Sequence, residues 1–146
     1  MDEKLEQQAL RIAETADVGS SADTVVLYSV SFLPSKENKH RALAYLNEHP
    51  DAIMIDDTDC GKQLAALGID DSRFTSEADR KKVAEIWKVA SARFIAAASG
   101  NITAFVDNAD PRSVFRSLEL PAILRNPALK LINGIDKFAF AARFRS

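Results

Sequence analysis

The sequence predicts an α/β fold, with α+β as the variant: a single mixed sheet flanked by helices, an N-terminal amphipathic helix and a C-terminal β-hairpin. Three observations predict it. Helical and extended apolar patterns alternate along the chain. TVVLYSVSF, Thr24 to Phe32, is apolar on both faces, as a strand covered by helices must be. Asn133-Gly134, between two apolar runs, is the commonest two-residue hairpin turn signal. The 146 residues suit one domain, and 47% hydrophobic with 27% charged residues is an ordinary globular mix.

In chain order, residues 4–16 read as a helix, since Leu5, Ala9, Ile12, Ala13 and Ala16 share one face. Gly19-Ser20-Ser21 reads as a linker that leaves this helix free to pack loosely or to swing to a partner. The expected division is therefore residues 1–21 as helix and linker, and residues 22–146 as one α/β domain. After the Thr24–Phe32 strand, a helix is expected from Lys36 to Glu48, ended by Pro50. Ala52 to Ile55 reads as a short strand, followed by an acidic turn and a short helix to Leu67. Ser76 caps the longest helix, Glu77 to Ser99, with Asp79 placed as in a capping box. Ile102 to Val106 is a third strand and residues 107–111 a turn. Leu118 to Arg125 is a short helix opened near its first turn by Pro121. Leu129 to Ile132 forms one hairpin arm, and Phe138, Phe140, Ala142 and Phe144 alternate along the other.

Several function classes are excluded or disfavoured. The lone Cys60 allows no internal disulfide, and the N-terminus lacks a signal-peptide pattern, so a cytoplasmic location is expected. No apolar run approaches the ~20 residues of a membrane span. Residues 1–60 hold 5 basic and 12 acidic side chains, whereas residues 111–146 hold 7 and 2. That gradient supplies a local field for a small anion, but extended nucleic-acid binding is not expected of an acidic chain. It equally fits an acidic N-terminal part packed on a basic C-terminal part.

No phosphate loop, nucleophile elbow or metal box is present, and neither a metal nor a bound cofactor is expected. His40 and His49 lack zinc spacing and read as surface histidines. Cys60 reads as a structural thiol. Asp56, Asp57 and Asp59 follow a strand, where magnesium and phosphate are often held, but helix capping and solvation account for them more simply.

One stretch stands apart. In SVFRSLELPAILRNP, Glu119 is the one acid between Pro111 and Ile135, among apolar residues and close to Arg112 and Arg116. Desolvation raises a carboxyl pKa, and a nearby guanidinium lowers it. Such a carboxylate suits stabilisation of a cationic sugar centre, and the arginines suit a pyrophosphate. The plainer account is an acid in the first turn of a helix, favoured by the helix dipole. Tyr28 offers a ring for stacking, Ser29 a hydroxyl beside it, and Ser91 a hydroxyl on the inner face of the long helix. Core packing is the simplest account of the tyrosine, and a buried hydroxyl such as Ser91 needs a partner.

The succession DTVVLYS, DDTDCGKQL, IWKVASARFIAAASGNITAFV, SVFRSLELPAILRNP and INGID resembles, over residues 23 to 136, C-terminal toxin domains of bacterial polymorphic toxin systems. Val30 and Asp59-Cys60 stand where that pattern carries glycine. The resemblance implies an effector acting on NAD, nucleic acid or another cytosolic target, with a cognate immunity protein as partner. Within it, the residues favour hydrolysis or ADP-ribosyl transfer at the N-glycosidic bond of NAD. Glu119 would steady the cationic ribose, Ser91 orient it, Tyr28 and Ser29 hold the ring, and Arg112 and Arg116 the phosphates. The alternative is a non-catalytic, immunity-type interaction protein that docks through its acidic N-terminal face.

Overall fold

A computed structural model describes residues 1–29, 37–70, 73–107, 109 and 113–144. Helix α1 (Glu3–Thr15) starts at Asp2, whose carboxylate accepts from Leu5 N–H, and is followed by strand β1 (Val26–Tyr28). Next come α2 (Glu37–Glu48), a 3-10 turn (Ile55–Asp57) and α3 (Asp59–Ala66). Helix α4 (Glu77–Ala96) leads into β2 (Gly100–Phe105), and a π-helical turn (Phe115–Glu119) runs straight into α5 (Leu120–Arg125). β3 (Leu129–Ile132), β4 (Ile135–Asp136) and α6 (Lys137–Ala142) complete the described elements.

The expected mixed sheet is present, in spatial order β1-β2-β3-β4. β1 and β3 run parallel to β2, with Val26 opposite Thr103 and Ile102 opposite Ile132. β3 and β4 pair antiparallel across Asn133-Gly134, both at positive φ, so the expected hairpin turn is there. Its second arm is short. Asp136 accepts from Phe138 and Ala139 N–H and so starts α6, which takes up Phe138, Phe140 and Ala142 of the run read as an alternating strand and leaves Phe144 just beyond its end. Phe140 and Phe144 are four apart, a spacing that serves a helix as well as their alternation serves a strand. The Ala52–Ile55 strand is reduced to one parallel bridge, Val25 to Ile53, and residues 30–32 of the first expected strand lie outside the described residues.

Alternation along the strands builds two apolar layers. On one face, Val26 packs with Ala42 of α2, alongside Tyr28, Tyr45, Leu46 and Phe105. On the other, Leu27, Ile102 and Ala104 join Val83, Ile86, Ala90 and Phe94 of α4. α1 belongs to that second layer, with Ala9 and Ala13 fully buried against α3 and α4. Arg93 of α4 donates to the carbonyls of Ala13 (2.6 Å) and Ala16 (2.8 Å), which caps the end of α1. The N-terminal helix is thereby fastened to the core across the Gly19-Ser20-Ser21 segment.

Three side chains finish the backbone at the opposite corner. Asn126 Nδ2 donates to Ile95 O (2.9 Å) and Ala98 O (3.0 Å), closing α4. Lys137 Nζ donates to Ile123 O (3.1 Å) and Asn126 O (2.7 Å), closing α5. Asn133 both accepts from Ala104 N–H (2.8 Å) and donates to Ala104 O (2.9 Å), so its amide extends the ladder of β2 beyond the end of β3. Gly61 is the one position in α3 where a side chain is forbidden outright: a Cβ would lie 2.1 Å from Ile55 O, so glycine lets α3 sit directly on the 3-10 turn.

Candidate functional site

A cleft of about 230 Å³ opens off the carboxyl end of β1, where α/β sheets commonly hold ligands. Tyr28 and Ser29 form one wall, Met54, Ile55 and Asp56 a second, and Val114, Phe115 and Glu119 a third. A wider outer lobe of about 540 Å³ shares Tyr28, Ile55, Asp56 and Val114 with it and adds Lys39, Trp87, Lys88 and Ser91. The two lobes form a continuous groove of the size that small-molecule sites usually have.

Glu119 is the last residue of the π turn and only 8% exposed. Burial pushes its carboxyl up to about 7. Asp56 stands at the rim on the 3-10 turn, beside Asp57, whose carboxylate accepts from Met54 N–H (3.0 Å) and so fixes the turn. The cleft walls crowd the Asp56 carboxyl and raise its pKa; the charge of Asp57 adds to this and Lys39 opposes it. The Tyr28 hydroxyl is raised first by burial, then by the fields of Asp56 and of Glu119. One phenol thus feels both carboxyls.

The structure brings Glu119, Tyr28 and Ser29 together in the inner lobe and sets Ser91, which is buried, in the outer one. Ser29 is tied down through its backbone, which donates to Phe105 O (3.0 Å) and accepts from Asn38 Nδ2 (3.0 Å). Arg116 is not brought to the cleft. Its guanidinium donates to Phe144 O (2.7 Å) and lies 5.1 Å from the centre of the Phe144 ring. Arg112 lies outside the described residues.

Asp56, which the sequence left to capping or solvation, and Trp87, which it left to the core, complete the groove. Trp87 Nε1 donates to Ile69 O (2.7 Å), which fixes the indole that borders the outer lobe. The signal for Asp56 was its place just after an extended segment. Thr58 accounts for the capping expected nearby, accepting from Gly61 N–H (3.0 Å), which leaves Asp56 to the cleft. Cys60 is buried, its Sγ donating to Ile12 O (3.4 Å), and burial raises its pKa. Among the described residues no group of three His, Cys, Asp or Glu is placed to hold a metal ion, and no helix is long and apolar enough to cross a membrane.

No protein-family model matches the chain, and no curated protein matches its sequence. Solved structures do match. Aplysia cyclase complexed with the substrate NGD and the product cGDPR superposes with a TM-score of 0.51 and 20% identity, over 77% of this chain and 48% of that one. The fold resembles that of ADP-ribosyl cyclases. A second such cyclase, complexed with N1-cIDPR, gives a TM-score of 0.51 at 19% identity over 77% and 48% of the two chains. A glutamate-to-alanine variant of ADP-ribosyl cyclase gives 0.51 at 18% identity over 90% and 63%. This chain therefore spans between 48% and 63% of the length of the cyclases it matches, and the shared feature is the fold.

Proposed function

We propose that this chain is an enzyme that breaks the bond between nicotinamide and ribose in a pyridine dinucleotide such as NAD. The observation that carries the reading is the buried carboxyl of Glu119 facing a cleft it shares with Tyr28 and Asp56. Likeness in fold to cyclases described with NGD, cGDPR and N1-cIDPR supports a nucleotide substrate.

Cleavage takes the C1′–N bond electrons onto the nicotinamide nitrogen and leaves positive charge on the ribose. A carboxylate beside that charge in a low-dielectric cleft stabilises it far more than water would. The same burial pushes the carboxyl up to about 7, so it exchanges its proton readily close to pH 7. Water then adds at C1′, and Glu119 can accept its proton, giving ADP-ribose and free nicotinamide. Asp56 accepts hydrogen bonds from substrate hydroxyl or amide groups at the rim. Tyr28 packs against the ring, while Trp87 and Ser91 line the outer lobe. Lys39 and Lys88 stand at that lobe beside Asp56 and Asp70, and the two ammonium groups are the cations that would meet the phosphates. A different acceptor in place of water would make the outcome ADP-ribosyl transfer.

The deciding experiment is incubation of the purified protein with NAD and chromatographic assay of nicotinamide. Release is expected, and Glu119→Gln should slow it by at least ~100-fold, the usual cost of removing a group that stabilises transition-state charge. No release by the native sequence overturns the reading. An effector role with an immunity partner rests on the sequence resemblance and has its own test. Expression in a bacterial cytosol should arrest growth, and Glu119→Gln should relieve it; harmless overproduction of active protein would count against that role.

A further inference from the structure

The π-helical turn answers a packing problem that an α-helix cannot. At about 100° per residue, an α-helix would set Leu120 some 140° round from Phe115. Yet Phe115, Glu119 and Leu120 are all buried. The wider turn advances each residue by less and brings both neighbours, Glu119 and Leu120, to the inner side. Leu120 N–H donates to Phe115 O, five residues back, which is the π pattern. Pro121 supplies a local reason. It has no N–H to give, and its ring would crowd the Ser117 carbonyl in a regular α-helix.

A wide turn is weakly self-supporting, so its outer side needs a hold. Arg116, three residues before Glu119, provides one. Its guanidinium donates to Phe144 O (2.7 Å) and covers the Phe144 ring, which meets Phe115 edge-on at 5.9 Å and Phe140 at 5.7 Å. We propose that Arg116 is a positioning residue: by tying the π-helical turn to Phe144, beyond α6, it holds Glu119 aimed into the cleft. The catalytic part of this inference rests on the reading of Glu119 given above; the structural part does not.

The test is the titration of Glu119 itself, followed by 13C NMR on protein labelled at glutamate, with the resonance assigned by its loss in Glu119→Gln. In the native sequence the carboxyl should titrate at about 7. Arg116→Met keeps an apolar stem but removes the tie. If the turn relaxes and water reaches the carboxyl, the pKa falls by ~1 unit or more toward the ordinary glutamate value. Simple loss of a nearby positive charge would move it the other way. Arg116→Lys, which can still donate to Phe144 O, should recover part of the shift. Nicotinamide release should lose kcat by ~10-fold or more with KM little changed, as misplacement of a reacting group does. A Glu119 titration that is unchanged or raised overturns the proposal. So does a raised KM with unchanged titration, which would make Arg116 a phosphate ligand. Should Arg116→Met not fold, Arg116→Gln, whose shorter side chain stops short of Phe144 O, is read the same way: a lowered titration supports the tie, and an unchanged one refutes it. The titration needs no turnover, so a protein inert toward NAD would end the functional reading and leave this inference to its own result.

Discussion

Two corners of the molecule treat buried polar groups in opposite ways. Where α4, α5 and β3 meet, Asn126, Lys137 and Asn133 give their donors to backbone carbonyls at or near the ends of helices and on the strand β2, several of which also accept from a backbone N–H. Satisfaction there is close to complete, and such networks rigidify a fold. Burial acts against the charged form at both corners, lowering the pKa of Lys137 and pushing that of Glu119 up to about 7, but the lysine is answered by hydrogen bonds to two carbonyls. A carboxyl in that state costs stability whenever it ionises. The contrast separates residues that hold the fold from a residue the fold holds in spite of its cost.

Breaking the closed corner should give the largest effect. Lys137→Met removes a charged donor from two carbonyls, each of which keeps a backbone donor, at a cost of about 3 kcal/mol by urea denaturation. A loss under 1 kcal/mol would mean that water replaces the ammonium and that this corner is less closed than its hydrogen bonds indicate.

The open corner is next, and here the sign depends on pH. Because the folded pKa of Glu119 lies above its unfolded value of about 4.5, the folded chain binds more protons between pH 4.5 and 7. Its contribution is favourable at low pH and is lost as pH rises through 7. Glu119→Gln, which does not ionise, should therefore gain relative to the native sequence between pH 4.5 and 8, on the order of 3 kcal/mol. Parallel urea titrations at the two pH values measure this; equal pH dependence in both proteins would place the carboxyl in water.

Smaller effects sharpen the comparison. Asn133→Ala loses both bonds to Ala104 and puts alanine at a positive φ, for about 2–3 kcal/mol in the same assay, with nicotinamide release at low temperature largely kept. The smallest change is expected from Arg41→Ala. It removes the exposed 2.7 Å pair with Asp107 and should shift stability by less than about 1 kcal/mol.

Which parts were legible in sequence follows from the range of the interactions. Helix α4 announced itself through Ser76 and a regular apolar stripe, and the Asn133-Gly134 turn through backbone chemistry alone; both are local. Glu119 stood out because a lone acid among apolar residues is a local anomaly. The fate of Arg116 was not local. Its partner lies 28 residues downstream, so proximity in sequence to Glu119 suggested a shared ligand where the fold supplies Phe144. α6 was misread because Phe140 and Phe144, four apart, fit both a helix and an alternating strand, whereas Phe138, with 57% of its surface exposed, does not belong to an inner face at all. The same limit made Asp56 read as a capping or solvated acid, because its place in the groove depends on a wall contributed by Val114, Phe115 and Glu119.

The parallel pairing of β1 with β2 has a consequence for how the site comes into being during synthesis. One side of the groove is translated by residue 29, yet its strand has only the bridge to Ile53 among the described residues until residues 103–105 have emerged, and the Glu119 carboxyl arrives later still. Pairings so distant in sequence are slow to form. A ribosome-bound fragment ending before residue 119 therefore carries half a mouth, with Asp56 but without Glu119, and the groove is complete only after the two halves have met.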